Sequence, residues 1–159
     1  ANPNYILQSD AAGNASWVQN PINTLSVVRI NLSTPQILAT SGWQKVTFDT
    51  ELFDTNNEFD TTTNRFVATK AGYYRVNASI HTNSQSNNQL YSVGIRVNGN
   101  LYQQTTANHF GNGPVDRSVN CIVSLSANDY LEVFVENWQT GVDVDNFVGK
   151  TVFEIEQIR

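Results

Sequence analysis

Only one cysteine, Cys121, occurs in 159 residues. No disulfide can form within the chain, so packing and hydrogen bonds must hold the fold. Charge is scarce too: Asp, Glu, Lys and Arg together make 14%, well below the usual quarter. The net charge is −5 and Lys and Arg nowhere cluster, which removes the electrostatic footprint of a nucleic-acid binder. No apolar run reaches the length of a membrane-spanning helix, so membrane insertion is not expected. Missing as well are a Ser-His-Asp spacing, a phosphate-cradling glycine loop and an HExxH-type metal motif. The two histidines, His81 and His109, lie far apart. These absences predict a protein that is not an enzyme. Methionine is absent even from position 1, and a start at Ala1 suits removal of a signal or of a longer upstream protein.

What is present is apolar and uncharged-polar. Hydrophobic residues at 40%, with 11% aromatic, exclude a disordered chain and suffice for the core of one domain. Asn, Gln, Ser and Thr fill roughly a third of the chain, a polar surface that suits extracellular, fibrous or capsid-like proteins. No helical periodicity appears. Period-two alternation predicts strands over 25–32, 43–48, 66–69, 73–81, 91–98, 101–107, 119–125, 130–138 and 148–158. Asn98-Gly99 between two such runs is a strong hairpin signal, and Asn128-Asp129 marks another turn. Upstream, 5-YIL-7 and 16-SWV-18 flank 10-DAAGN-14, a small hairpin with a glycine turn. Residues 1–24 therefore read as a linker or stalk end and residues 25–159 as the head. About ten short strands predict an all-β sandwich.

The stretch from Phe48 to Ala78 is the most specific. Phe48, Asp54, Phe59, Phe66, Gly72 and Tyr74 follow one another at intervals of five, four, six, five and one residues. This spacing resembles the signature of the complement-one-q globular-head family, a branch of the tumour-necrosis-factor-like jelly rolls. Arg96-Val97-Asn98-Gly99, the Leu-x-x-x-Asp turn at 125–129 and the phenylalanine of the last strand extend the likeness over 25–159. Val76 and Ala78 stand where the family usually carries aromatics, which points to a distant microbial or viral branch. The segment LQSDAAGNASWV also looks like short repeats that precede distal heads in bacterial surface proteins and phage fibres. The resemblance implies a jelly roll of about ten strands and a bell-shaped homotrimer.

The outward faces of two strands support assembly independently. They read Tyr73, Arg75, Asn77, Ser79 and His81, and then Asn120, Ile122 and Ser124. A solvent face would carry more Lys and Glu, and Ile122 and Tyr73 make sense beneath another subunit. His81 reads as a surface or interface imidazole, and Cys121, alternating with core positions, as a small buried hydrophobe. Glu51, Asp54, Glu58 and Asp60 could imitate a glycosidase pair, but their turn-rich setting favours bonds to their own backbone. Asp143, Asp145 and Asn146 carry oxygens that would suit calcium, which the family often binds through the equivalent loop. No cofactor is required by anything else in the chain. Three sequons, at Asn14, Asn31 and Asn77, would matter only in a eukaryotic secretory pathway.

Two polar stretches, 83-NSQSNNQ-89 and 108-NHFGNGP-114, read as binding loops. Asn87, Gln89, Tyr102, His109, Phe110 and Asn112 are their candidate contacts. The expected function is a non-enzymatic trimeric recognition or adhesion head at the end of a stalk or fibre. It would bind cell-surface proteins or glycans, outside the cell, on a cell surface, a spore surface or a virion fibre. One alternative is a structural cap that nucleates trimerisation of such a fibre. Another is a carbohydrate-binding module of a larger enzyme, with Trp43, Trp138 or Tyr102 stacking on sugar rings.

Overall fold

The fold is described from a computed structural model over residues 4–20, 25–39 and 41–158. The expected boundary between stalk end and head falls at residues 21–24, outside the described residues. Fifteen strands and no helix are present among the described residues. The first two, β1 (Tyr5–Ser9) and β2 (Ala15–Gln19), pair antiparallel as the predicted hairpin. Asp10 builds its turn: Oδ1 accepts from the amides of Ala12 and Asn14, both at 2.9 Å. Gly13 supplies the positive φ of +84° that closes it.

The head is a sandwich of two antiparallel sheets. In the first, β9 (Gly72–Gln85) is central, flanked by β12 (Gly113–Leu125) on one side. On its other side run β15 (Val152–Gln157), β3 (Val27–Asn31) and β6 (Thr50–Asp54) in that order. Two short strands, β14 (Val142–Val144) and β4 (Gln36–Leu38), continue this sheet beside the far end of β9. In the second sheet β13 (Tyr130–Asn137) pairs with β10 (Leu90–Val97), which pairs with β11 (Asn100–Asn108). The other edge of β13 is shared by β5 (Gly42–Lys45) and β8 (Arg65–Val67), and β7 (Phe59–Asp60) lies outside β8.

Alternation decides what lies between the sheets. Tyr74, Val76, Ala78 and Ile80 of β9 face Tyr91, Val93 and Ile95 of β10 and Leu131, Val133 and Val135 of β13 across one core. The spaced aromatics gather at one place in it. Phe48 and Phe59 sit 5.7 and 6.3 Å from Phe153, and Phe66 packs edge-on to Tyr74 at 5.7 Å. Each fully buried phenylalanine contributes about 2–3 kcal/mol. The polar member of the spacing is a turn-builder: Asp54 Oδ2 accepts from the amides of Glu58 and Phe59 at 2.6 and 2.7 Å. Gly72 begins β9 beside Leu125, and Tyr74 donates its hydroxyl to Lys70 O at 2.7 Å. The interval pattern is thus a description of one corner of the core.

Several expectations are corrected. His81 is not a surface imidazole but 5% exposed, because the turn 147–150 folds over the end of β9. Its Nδ1 lies 2.6 Å from Asp116 Oδ1, and its ring lies 5.9 Å from that of Phe147. The last strand begins at Val152 rather than 148, since Lys150 N donates to Phe147 O and Gly149 has φ +83°. The strands β6 and β14 lie in segments read as turns. The stretch 83–89 is half strand: β9 runs to Gln85, which is fully buried.

Candidate recognition end

The path of β9 separates two ends. At its start, Ser26 N, close to where the head begins, lies 3.4 Å from Gln157 Oε1, and Gln157 pairs with Tyr74. At its finish lie Gln85 and the connections 86–89, 109–112 and 138–141. Thirteen residue steps separate Gly72 from Gln85, about 40 Å along the strand. The connections therefore stand far from residue 25.

Two of the connections are clipped together. Asn88 N donates to His109 O at 2.7 Å and His109 N to Gln89 O at 3.1 Å. Asn87 N donates to Asn112 Oδ1, and Gly111 N returns a bond to Asn87 Oδ1, at 2.9 and 2.8 Å. Backbone and asparagine amides thus fix the loops without apolar anchors, and Phe110 is held out at the tip, 81% exposed. The predicted contacts Asn87, Gln89, His109, Phe110 and Asn112 come together here. Tyr102 does not. It lies mid-strand on β11 and donates its hydroxyl to Ile122 O of β12 at 3.1 Å, bridging the two strands at the edge of the sandwich.

A third connection, 138–141, joins this end. Asn137 is buried, accepts from Gln85 Nε2 at 3.0 Å and donates to Gln139 O at 2.7 Å. Gln139 Oε1 accepts from Ser86 N at 2.8 Å. Trp138 between them is 63% exposed. Trp138 is one of the three stacking candidates legible in the sequence, and alternation puts it on the outward row with Glu136.

The outward face of the first sheet presents the other predicted set. Pairing sets Tyr73 opposite Ser124, Arg75 opposite Ile122 and Asn77 opposite Asn120. Tyr73 and Ile122 are 59% and 57% exposed. Charged residues here are already matched: Arg75 to Glu156 at 2.9 Å, Arg29 to Glu154 at 3.0 Å, and Asn77 Nδ2 donates to Glu154. Beside them Val27 and Phe53 line a recess of about 240 Å³.

At the acidic loop, Asp143 sits on β14 opposite Ile37. Asp145 Oδ2 accepts from Asn83 at 3.1 Å, and Asn146 Nδ2 donates to Ser33 O at 2.8 Å. Among the described residues no three His, Cys, Asp or Glu side chains converge as metal ligands. Of the carboxylates in the turn-rich stretch, Asp54 and Asp60 serve turns, Asp60 by capping Thr62 and Thr63, whereas buried Glu58 accepts from the distant Thr69 N at 2.9 Å and Glu51 lies exposed on β6. Cys121 is half-buried against the core, and burial pushes its thiol up, away from nucleophile chemistry.

A family model for the C1q domain matches residues 30–153. The chain belongs to the C1q domain family. Two Bacillus subtilis proteins are similar to this C1q domain. The phage-like element PBSX protein XkdV is 31% identical over 115 residues, 65% of this chain and 16% of its own length. YqcC is 30% identical over 98 residues, 57% of this chain and 26% of its own length. The chain thus spans only a minor part of either relative. Among solved structures, the globular domain of zebrafish complement 1qA superposes with a TM-score of 0.64 at 14% identity, covering 85% of this chain and 98% of that one. Murine APRIL gives 0.63 at 9%, covering 84% and 99%. These likenesses concern the fold: a C1q and tumour-necrosis-factor-like jelly-roll sandwich. No helix among the described residues is long and apolar enough to cross a membrane.

Proposed function

We propose that this C1q domain is the non-enzymatic, trimeric recognition head of an extracellular or virion-borne fibre, and that it binds cell-surface proteins or glycans with the end of the sandwich farthest from residue 25. The carrying observation is the separation of the two ends of β9. The chain comes in at one, and three connections fixed by hydrogen bonds hold Phe110 and Trp138 out at the other. Copies would meet through the outward face around Tyr73, Arg75, Asn77 and Ile122, whose exposed apolar side chains need cover. Similarity to a phage-element protein supports a place on a fibre. Trimerisation would triple weak single sites into useful avidity.

The test is binding of labelled, purified protein to intact bacterial cells, before and after replacing residues 109–112 by Ser and Gly. Loss of binding with an unchanged melting temperature supports the reading, and unchanged binding removes the loop from it. The structural-cap reading is favoured by a different observation. The β1–β2 hairpin leaves Tyr5, Ile6, Leu7 and Trp17 uncovered, as a segment made for burial in an assembly would. A fibre that fails to trimerise without the head, and a head that binds no cell, would select the cap.

A further inference from the structure

We propose that the recess bounded by Ser41, Gly42, Glu136 and Trp138 is a subsite for a neutral pyranose unit of a glycan. The inference rests on the recognition reading above and names a site and ligand class for it. The recess measures about 320 Å³, within the range of small-ligand pockets, about 300–1,000 Å³. Three aromatic residues were candidates for stacking on a sugar, and the structure separates them. The Trp43 indole is used internally: a Cβ on Gly94 would lie 2.9 Å from its Cζ3, and the Arg96 guanidinium lies 5.9 Å from its ring. The Tyr102 hydroxyl is spent on Ile122. Trp138 alone of the three combines high exposure with a bordering recess.

Its setting is unusual for a surface tryptophan. The residues on both sides, Asn137 and Gln139, are locked by the Gln85–Asn137–Gln139 network, and Trp138 N itself lies 3.4 Å from Leu90 O. The indole is therefore carried on a fixed backbone, so less ordering entropy remains to be lost when a ligand stacks on it. The Glu136 carboxylate shares the recess and is positioned in turn. Its Oε2 accepts from Ser92 Oγ at 3.3 Å, and that hydroxyl lies 2.8 Å from Thr106 Oγ1. An indole face attracts the electropositive C–H face of a pyranose, and a carboxylate accepts from ring hydroxyls. The same carboxylate, on a chain of net charge −5, disfavours uronic or sialic acids.

Titration of the whole chain with an N-acetylglucosamine tetramer, a galactose tetramer and a galacturonate tetramer, followed by saturation-transfer NMR and calorimetry, tests this. At least one neutral oligosaccharide should bind saturably, and the galacturonate at least about tenfold more weakly. Trp138→Ala should abolish the neutral binding, Trp138→Phe should retain most of it, and Glu136→Gln should narrow the gap to the uronate. Each variant's melting curve confirms folding. Absence of binding by both neutral tetramers overturns the proposal, as does full affinity in Trp138→Ala. Cell attachment that persists in Trp138→Ala but is lost on replacing 109–112 would overturn this subsite and leave the recognition reading standing.

Discussion

Glu132 is 5% exposed, and its Oε1 receives both Lys45 Nζ at 2.8 Å and Arg65 Nη2 at 3.1 Å. Arg65 also lies 4.3 Å over the Tyr130 ring. One carboxylate thus ties β5, β8 and β13 on the outer side of the second sheet. Removing it leaves two cations crowded together, although both still reach water. Glu132→Ala should therefore cost about 2 kcal/mol, read by denaturant unfolding, below the full cost of breaking a wholly buried pair. Asp116 behaves differently. Desolvation opposes its ionisation, but the hydrogen bond and charge of His81, with Lys150, outweigh that and hold its carboxyl below the ordinary 3.8. A lowered carboxylate stabilises above its ordinary value and loses that contribution as pH falls through the folded one. Asp116→Asn should be less stable than the parent above about pH 4, with the two converging in stronger acid. At this scale sequence reasoning fell short on His81. Alternation assigns a row, and only the packing of a distant turn determines whether that row is covered.

Turns were the elements most legible in advance, because their chemistry is local. Asn98 and Gly99 take φ of +51° and +81°, and Asn98 ties the hairpin to the neighbouring one by accepting from Tyr130 N at 2.9 Å and donating to Asp129 at 2.8 Å. A Cβ on Gly99 would meet the Tyr130 hydroxyl at 3.4 Å, an ordinary contact, so backbone conformation alone sets the penalty. Gly99→Ala should lower stability by about 1 kcal/mol in the same unfolding assay. The long core strands were legible too, from period two. The strands β4, β6 and β14, of three to five residues, were not. So few residues carry no readable period, and their pairing is decided by longer neighbours. The end of β9 was missed for another reason: Thr82 and Gln85 are polar yet fully buried, and a buried polar network imitates a loop in sequence.

For the whole molecule, the spaced residues from Phe48 to Tyr74 were enough to indicate the architecture, since together they build one corner of the core. Assembly and metal binding belong to this scale as well. If copies meet on the Tyr73–Ile122 face, light scattering should report three times 17.7 kDa. Ile122→Glu, which would bury an unpaired charge there, should give a monomer. A folded monomer for the parent chain would remove that interface. If Asp143, Asp145 and Asn146 hold calcium, the melting temperature should be higher in millimolar calcium than in chelator, and Asp145→Ala should abolish the difference. The shift should grow with calcium concentration, and no shift would leave the loop simply solvated. The candidate recognition end was only half visible, as two polar stretches. Their joining by Asn87 and Asn112, and the presence of Trp138 beside them, depend on contacts between residues 25 to 53 positions apart.

The clip at the tip of the sandwich has a practical corollary. Its bonds run through the backbone of Asn87, Asn88, Gln89, His109 and Gly111 and the side-chain oxygens of Asn87 and Asn112, while the Phe110 side chain projects outward, 81% exposed. Foreign peptides in place of Phe110, which takes part in none of these bonds, would emerge into open space between His109 and Gly111. The domain is in that sense a ready-made display platform, whose cargo can be exchanged while the corner built by Phe48, Phe59 and Phe153 goes on folding unaltered.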